Sequence, residues 1–84
     1  MNTEEIKKII EENIPDAEAF VEGGGAKFLV TVISDEFDGL SPVNRQRKVY
    51  AALNAYIASG EIHAVTIKAL SVAEGKSYKM NIDE

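Results

Sequence analysis

Apolar residues recur at helical spacing at the head of the chain, where Ile6, Ile9, Ile10 and Ile14 form one stripe along "NTEEIKKIIEENI". Asn2 is placed to cap this helix, and Glu5 three residues on completes a capping-box pattern. Glu4–Lys8, Lys7–Glu11 and Lys8–Glu12 are i,i+4 pairs on the wet side. Pro15 ends the helix, because the residue before a proline avoids helical backbone angles. The period then falls to two. "DAEAFVEGGGAKFLVTVIS" predicts a β-hairpin turning on Gly23, Gly24 and Gly25, which can take the positive φ values of a tight turn. In its second arm Phe28, Val30 and Val32 share one face, and Lys27, Leu29, Thr31 and Ile33 the other.

Beyond the loop "DEFDGL", Ser41 and Pro42 suit the cap and first position of a helix, "SPVNRQRKVYAALNAYIASG". Its buried stripe is Val49, Leu53, Tyr56 and Ile57, Gly60 suits its C-terminal end, and it reads as one helix or two short ones. "IHAVTIKAL" alternates again and predicts a third strand, with Val65, Ile67 and Ala69 opposite Thr66 and Lys68. "SVAE" predicts one last helical turn stopped by Gly75, leaving "KSYKMNIDE" as a loose tail. A hairpin is antiparallel, and a strand reached through a helical crossover most simply lies parallel to the one before it. The expectation is therefore an α+β two-layer sandwich, α-β-β-α-α-β, with a three-stranded mixed sheet and helices on one face. At 84 residues the chain suits a single domain, 1–84.

Composition narrows the chemistry. There is no cysteine, so the chain supplies neither a disulfide nor a thiolate ligand. No apolar run approaches the roughly 20 residues that span a bilayer, and Met1 to Asn13 is too charged for a signal peptide, which makes a cytoplasmic protein the expectation. The net charge of −5 repels a phosphate backbone at long range. "GKS" at Gly75–Ser77 lacks the glycine five residues earlier that a phosphate loop needs, and "DEFDG" lacks the spacing of a calcium loop. No nucleophile, base and acid stand in a recognisable set, so the chain is read as non-enzymatic.

Two signals survive. His63, the one histidine, has the parity of Val65 and Ile67, which suits the edge of the core; it also opens the third strand, where an imidazole nitrogen can reach outward to a metal. The run "RQRK" places Arg45 and Lys48 as helical neighbours with Arg47 further round. Opposite the Val49–Leu53 stripe, these side chains are expected to face water and, with Lys68, to meet an acidic partner or a nucleic acid.

"FDGLSPVNRQRKVYAAL" followed by "GEIHAVTIKAL" resembles the signature of the BolA-like proteins, in particular the short bacterial type, and the resemblance runs to Leu70. It implies a fold related to the type II KH domain. It also implies a partner, a monothiol glutaredoxin, with which BolA-like proteins share a two-iron two-sulfur cluster. The glutaredoxin and bound glutathione supply thiolates, and the histidine that opens the last strand, matching His63 here, supplies an imidazole. The resemblance also allows a homodimer, and a second role as a transcription regulator binding nucleic acid through the KH-like helical region. Two departures stand out. Many members carry a second histidine or cysteine in the hairpin loop, where this chain has Lys27 in "GGGAKF", and a protonated lysine is no ligand for iron. Another group completes the site, or cluster binding is weaker, or the complex is mainly protein–protein contact, with Gly24, Gly25 and Lys27 as the partner loop. A "TPAEW"-like ending is replaced by "SVAEGKS".

Overall fold

A computed structural model describes residues 1–25 and 27–82, with side chains through Tyr78. Ala26 in the hairpin turn, and Asp83 and Glu84 of the expected tail, lie outside the described residues. The elements are α1 (Thr3–Asn13), β1 (Glu18–Gly24), β2 (Lys27–Ile33), a 3-10 turn (Asp35–Phe37), α2 (Pro42–Ala58), β3 (Ala64–Leu70) and α3 (Val72–Ile82). The fold is α+β with a three-stranded mixed sheet, strand order β1-β2-β3. β1 pairs antiparallel with β2, from Glu18 opposite Ile33 to Gly24 opposite Lys27. β2 pairs parallel with β3, from Lys27 beside Ala64 to Ile33 beside Leu70.

Local chemistry accounts for the helix starts. The Glu5 N–H donates to the Asn2 side chain at 2.8 Å while the Glu5 carboxylate accepts from the Asn2 N–H at 3.2 Å. Ser41 accepts from the Asn44 N–H at 3.3 Å, and Pro42 opens α2, which runs as one helix. Ile6, Ile10, Val49 and Leu53 have no exposed surface and meet Val30, Val32 and Ile67 of the sheet. Phe37, also fully buried, plugs this core from the 3-10 turn.

Helix side chains bond to both free edges of the sheet. On β1, Lys7 donates to the Ala19 carbonyl at 2.9 Å, and Glu11 accepts from the Ala19 N–H at 3.1 Å. Lys7 and Glu11 also bond each other at 2.8 Å. The pair expected to be mere surface support thus takes the place of a neighbouring strand, which protects an edge from unwanted pairing. On β3, Gln46 donates to the Ile67 carbonyl at 2.7 Å and Arg45 to the Ala69 carbonyl at 3.3 Å.

The C-terminal segment departs from expectation. It is no loose tail, because the helix runs through Gly75 to Ile82. Ser71 and Glu74 cap it reciprocally, the Ser71 N–H donating to the Glu74 carboxylate at 2.8 Å and the Glu74 N–H to the Ser71 hydroxyl at 3.3 Å. Gly75 is a packing glycine rather than a stop. A Cβ there would sit 2.5 to 2.9 Å from the Ile33 side chain, which is itself buried. Tyr78 packs at a tilt against Phe20, with ring centroids 5.4 Å apart. Phe20 and Ile33 alternate with the core-facing Ala19 and Val32, so α1 and α2 cover one sheet face as expected while α3 lies on the other.

Two outcomes follow. Glu11→Ala should lower stability by about 1 kcal/mol in urea unfolding, since the Ala19 N–H loses its acceptor. Burial opposes ionisation of Glu11, but hydrogen bonds from Lys7 and the Ala19 N–H outweigh it, and its pKa is held below the usual glutamate value. A depressed pKa stabilises fully above the unfolded-state pKa and loses that effect as pH falls through the folded one, so the wild-type advantage over the variant should shrink in acid. Gly75→Ala, which in an exposed helix would stabilise by up to ~1 kcal/mol, should instead destabilise by about 1–3 kcal/mol through overpacking against Ile33, read as a lowered Tm.

Candidate metal-ligand site at the hairpin end of the sheet

The parallel register that sets Lys27 beside Ala64 carries the hairpin turn and the residue before β3 to the same end of the sheet. That residue is His63, which lies just outside the strand rather than opening it. The strand's alternation therefore does not govern its side chain, and His63 is exposed rather than part of the core edge. Its backbone is well anchored. Ile62 is 1% exposed, and its N–H donates to the Tyr56 carbonyl at 3.0 Å at the end of α2. No hydrogen bond engages the imidazole among the described residues, leaving a fixed backbone that carries an open ring.

The hairpin supplies the other wall. Gly23 has φ +124°, and a Cβ there would strike the Lys27 carbonyl, so the turn requires glycine at this position. Gly24, Gly25 and Lys27 are all exposed. On the sheet face away from α1 and α2, Glu22, Lys27, Leu29, Ala64 and Thr66 line a shallow trough of about 410 Å³. No group of three His, Cys, Asp or Glu able to hold a metal occurs among the described residues. The end of the sheet can offer one imidazole to a centre carried by another molecule, and Lys27 is an exposed cation of the same end.

The basic residues do not join this site or one another. Arg45 donates through Nε to the Leu40 carbonyl at 3.1 Å, and through Nη1 to the Ala69 carbonyl at 3.3 Å and the Glu74 carboxylate at 2.6 Å. Its side chain is 15% exposed. It does not face water as expected, because it clasps the start of α2, the end of β3 and the cap of α3 together. Arg47 and Lys48 are exposed on α2, whereas Lys68 alternates with the core-facing Ile67 and Ala69 and so belongs to the opposite sheet face. Arg45 meets β3 at Ala69, six residues from His63, or about 20 Å at the usual strand rise. Nothing in the spacing of "RQRK" separates Arg45 from Arg47; the partners that do so come from distant segments.

The sheet order, the mixed pairing and the helical cover define a KH-like α+β domain. Within that class the chain belongs to the BolA-like protein family, whose sequence model matches residues 5–74. It is 46% identical over 80 residues to a protein of the rpoN–murA intergenic region of Acinetobacter guillouiae, covering 95% of this chain and 96% of that one. It is 39% identical over 82 residues to the acid stress protein IbaG of Escherichia coli K12, covering 96% and 98%. Among solved structures it is similar to a BolA homologue from Coxiella burnetii, with a TM-score of 0.82, 31% identity and coverage of 90% and 97%. Yeast Fra2 gives a TM-score of 0.71 at 30% identity, covering 88% and 83%.

The two arginines should separate cleanly in unfolding experiments. Arg45→Ala is expected to cost about 1–3 kcal/mol through the carbonyls and carboxylate it leaves unpaired, while Arg47→Ala should stay within about 0.5 kcal/mol.

Proposed function

We propose that this protein is a non-enzymatic adaptor that binds a monothiol glutaredoxin and lends His63 to a two-iron two-sulfur cluster shared between them, in cluster trafficking or in iron or stress regulation. The observation that carries the reading is the placement of the chain's one histidine. Its ring is exposed and free of hydrogen bonds among the described residues, on backbone fixed by Ile62 and β3. Neutral imidazole is a borderline ligand suited to iron.

The donor set fits a shared cluster better than one held by this chain alone. With one imidazole and no cysteine here, two further ligands are the thiolates of the glutaredoxin and its glutathione, and the fourth comes from another group. The cluster, when bound, supplies electron-transfer or iron–sulfur-delivery chemistry, and an imidazole in place of a thiolate raises its potential. This chain's residues hold and orient. Ile62 and the β2–β3 register fix the backbone that carries the ring, while Gly24 and Gly25 bring no side chains to the hairpin side of the approach. The family resemblance implies a metal ligand in the hairpin loop, where this chain has Lys27. As an ammonium it offsets negative charge beside the cluster without coordinating iron. The docking surface is therefore the hairpin and the start of β3, and the "RQRK" segment, at the far end of β3, lies outside its centre.

Adding the protein to a cluster-loaded monothiol glutaredoxin should change the visible absorption and circular dichroism as a heterodimer forms. His63→Ala should remove most of that change while leaving the far-ultraviolet spectrum of the free protein intact. A visible spectrum that changes equally with the variant would rule out ligation by His63.

A further inference from the structure

We propose that the cleft between α1 and the last turns of α2 is a docking site for a segment of another protein, one that carries a large apolar side chain flanked by lysine or arginine. The cleft has a volume of about 470 Å³, within the range of preformed ligand pockets. Its floor is Met1, Ile9 and Tyr56, which pack on the core from within and remain partly exposed to the cleft. Apolar surface of this kind gives an incoming apolar side chain a place to shed water.

Charge selects the occupant. The rim carries Glu5, Glu12 and Glu61 against two cations, Lys8 and the α-ammonium of Met1. Glu4, one turn before Lys8, adds a fourth carboxylate beside the cleft, so its surroundings stay net acidic. One Glu5 oxygen accepts from the Asn2 N–H, while the carboxylates of Glu12 and Glu61 make no hydrogen bond or ion pair among the described residues. A second copy of this chain would bring a further net charge of −5 towards that rim and be repelled. A basic segment is drawn in, with its apolar side chain on Ile9 and Tyr56 and its cations at the three carboxylates. Neither His63 nor the hairpin lines this cleft, so the inference stands apart from the cluster reading.

The test titrates the nitrogen-15-labelled full chain with a short amphipathic helix of lysine and leucine, and with the same peptide carrying glutamate in place of lysine. The lysine peptide should shift amides of residues 1–12 and 56–61 in a saturable way that weakens with salt, and the glutamate peptide should not. Glu12→Lys with Glu61→Lys should weaken binding about tenfold, while Asp35→Lys with Asp38→Lys, elsewhere on the acidic surface, should change it less than about twofold. The proposal is overturned by shifts spread over other faces, by no shifts, by equal binding of the glutamate peptide, or by equal losses in the two double variants. Concentration-dependent shifts at the cleft without peptide, with dimer in sedimentation, would assign it to a second copy and overturn the proposal as well.

Discussion

The parallel pairing of β2 with β3 is the constraint on which the rest depends. Had β3 returned antiparallel, the residue before it would lie at the opposite end of the sheet from the glycine turn. The observed register instead sets Lys27 beside Ala64 and so brings the hairpin and His63 together. The crossover helix makes this possible. α2 buries Val49 and Leu53 against the sheet, and the carbonyl of Tyr56 near its end captures the N–H of Ile62 one residue before the histidine. Placement of a single ring thus draws on the core, the sheet and the helix end at once.

A three-stranded sheet in a chain this small has one shielded strand and two exposed edges, and polar side chains of the helices address both. Lys7 and Glu11 complete the hydrogen bonds of Ala19, and Gln46 and Arg45 those of Ile67 and Ala69. These contacts explain why charged residues near the middle of the structure need not be binding residues. Arg45 illustrates the point, since its guanidinium joins three segments that the sequence keeps far apart. Of the other basic residues expected to bind, Arg47 and Lys48 are exposed on α2 and Lys68 lies on the sheet face away from it, in a chain whose net charge is negative.

Much of the architecture was legible in the sequence, because short-range rules govern it. The isoleucine stripe of α1, the glycine turn and the period-two runs of β2 and β3 are set by residues within a few positions of one another. The family resemblance carried by "RQRK" and "GEIHAV" agrees with the match over residues 5–74. What escaped depends on tertiary contact. Gly75 reads locally as a helix stop, and only its approach to Ile33 reveals a glycine kept for space. For His63 the alternation of β3 points to the core edge and its place at the strand's start to an outward ring; the strand begins one residue later and the residue is exposed, in keeping with the second reading. The Lys7–Glu11 pair looks like any surface pair until Ala19 is found between its two charges.

The central claim is that this imidazole bonds to iron borne by a partner, and the composition makes it directly measurable, because the chain contains one histidine. Nitrogen-15 placed in histidine alone labels a single ring. Pulsed electron paramagnetic resonance on the reduced complex, with the labelled chain and an unlabelled glutaredoxin, should reveal strong nitrogen-15 hyperfine coupling typical of a directly bound imidazole. A fully formed complex whose cluster lacks that coupling would contradict the account.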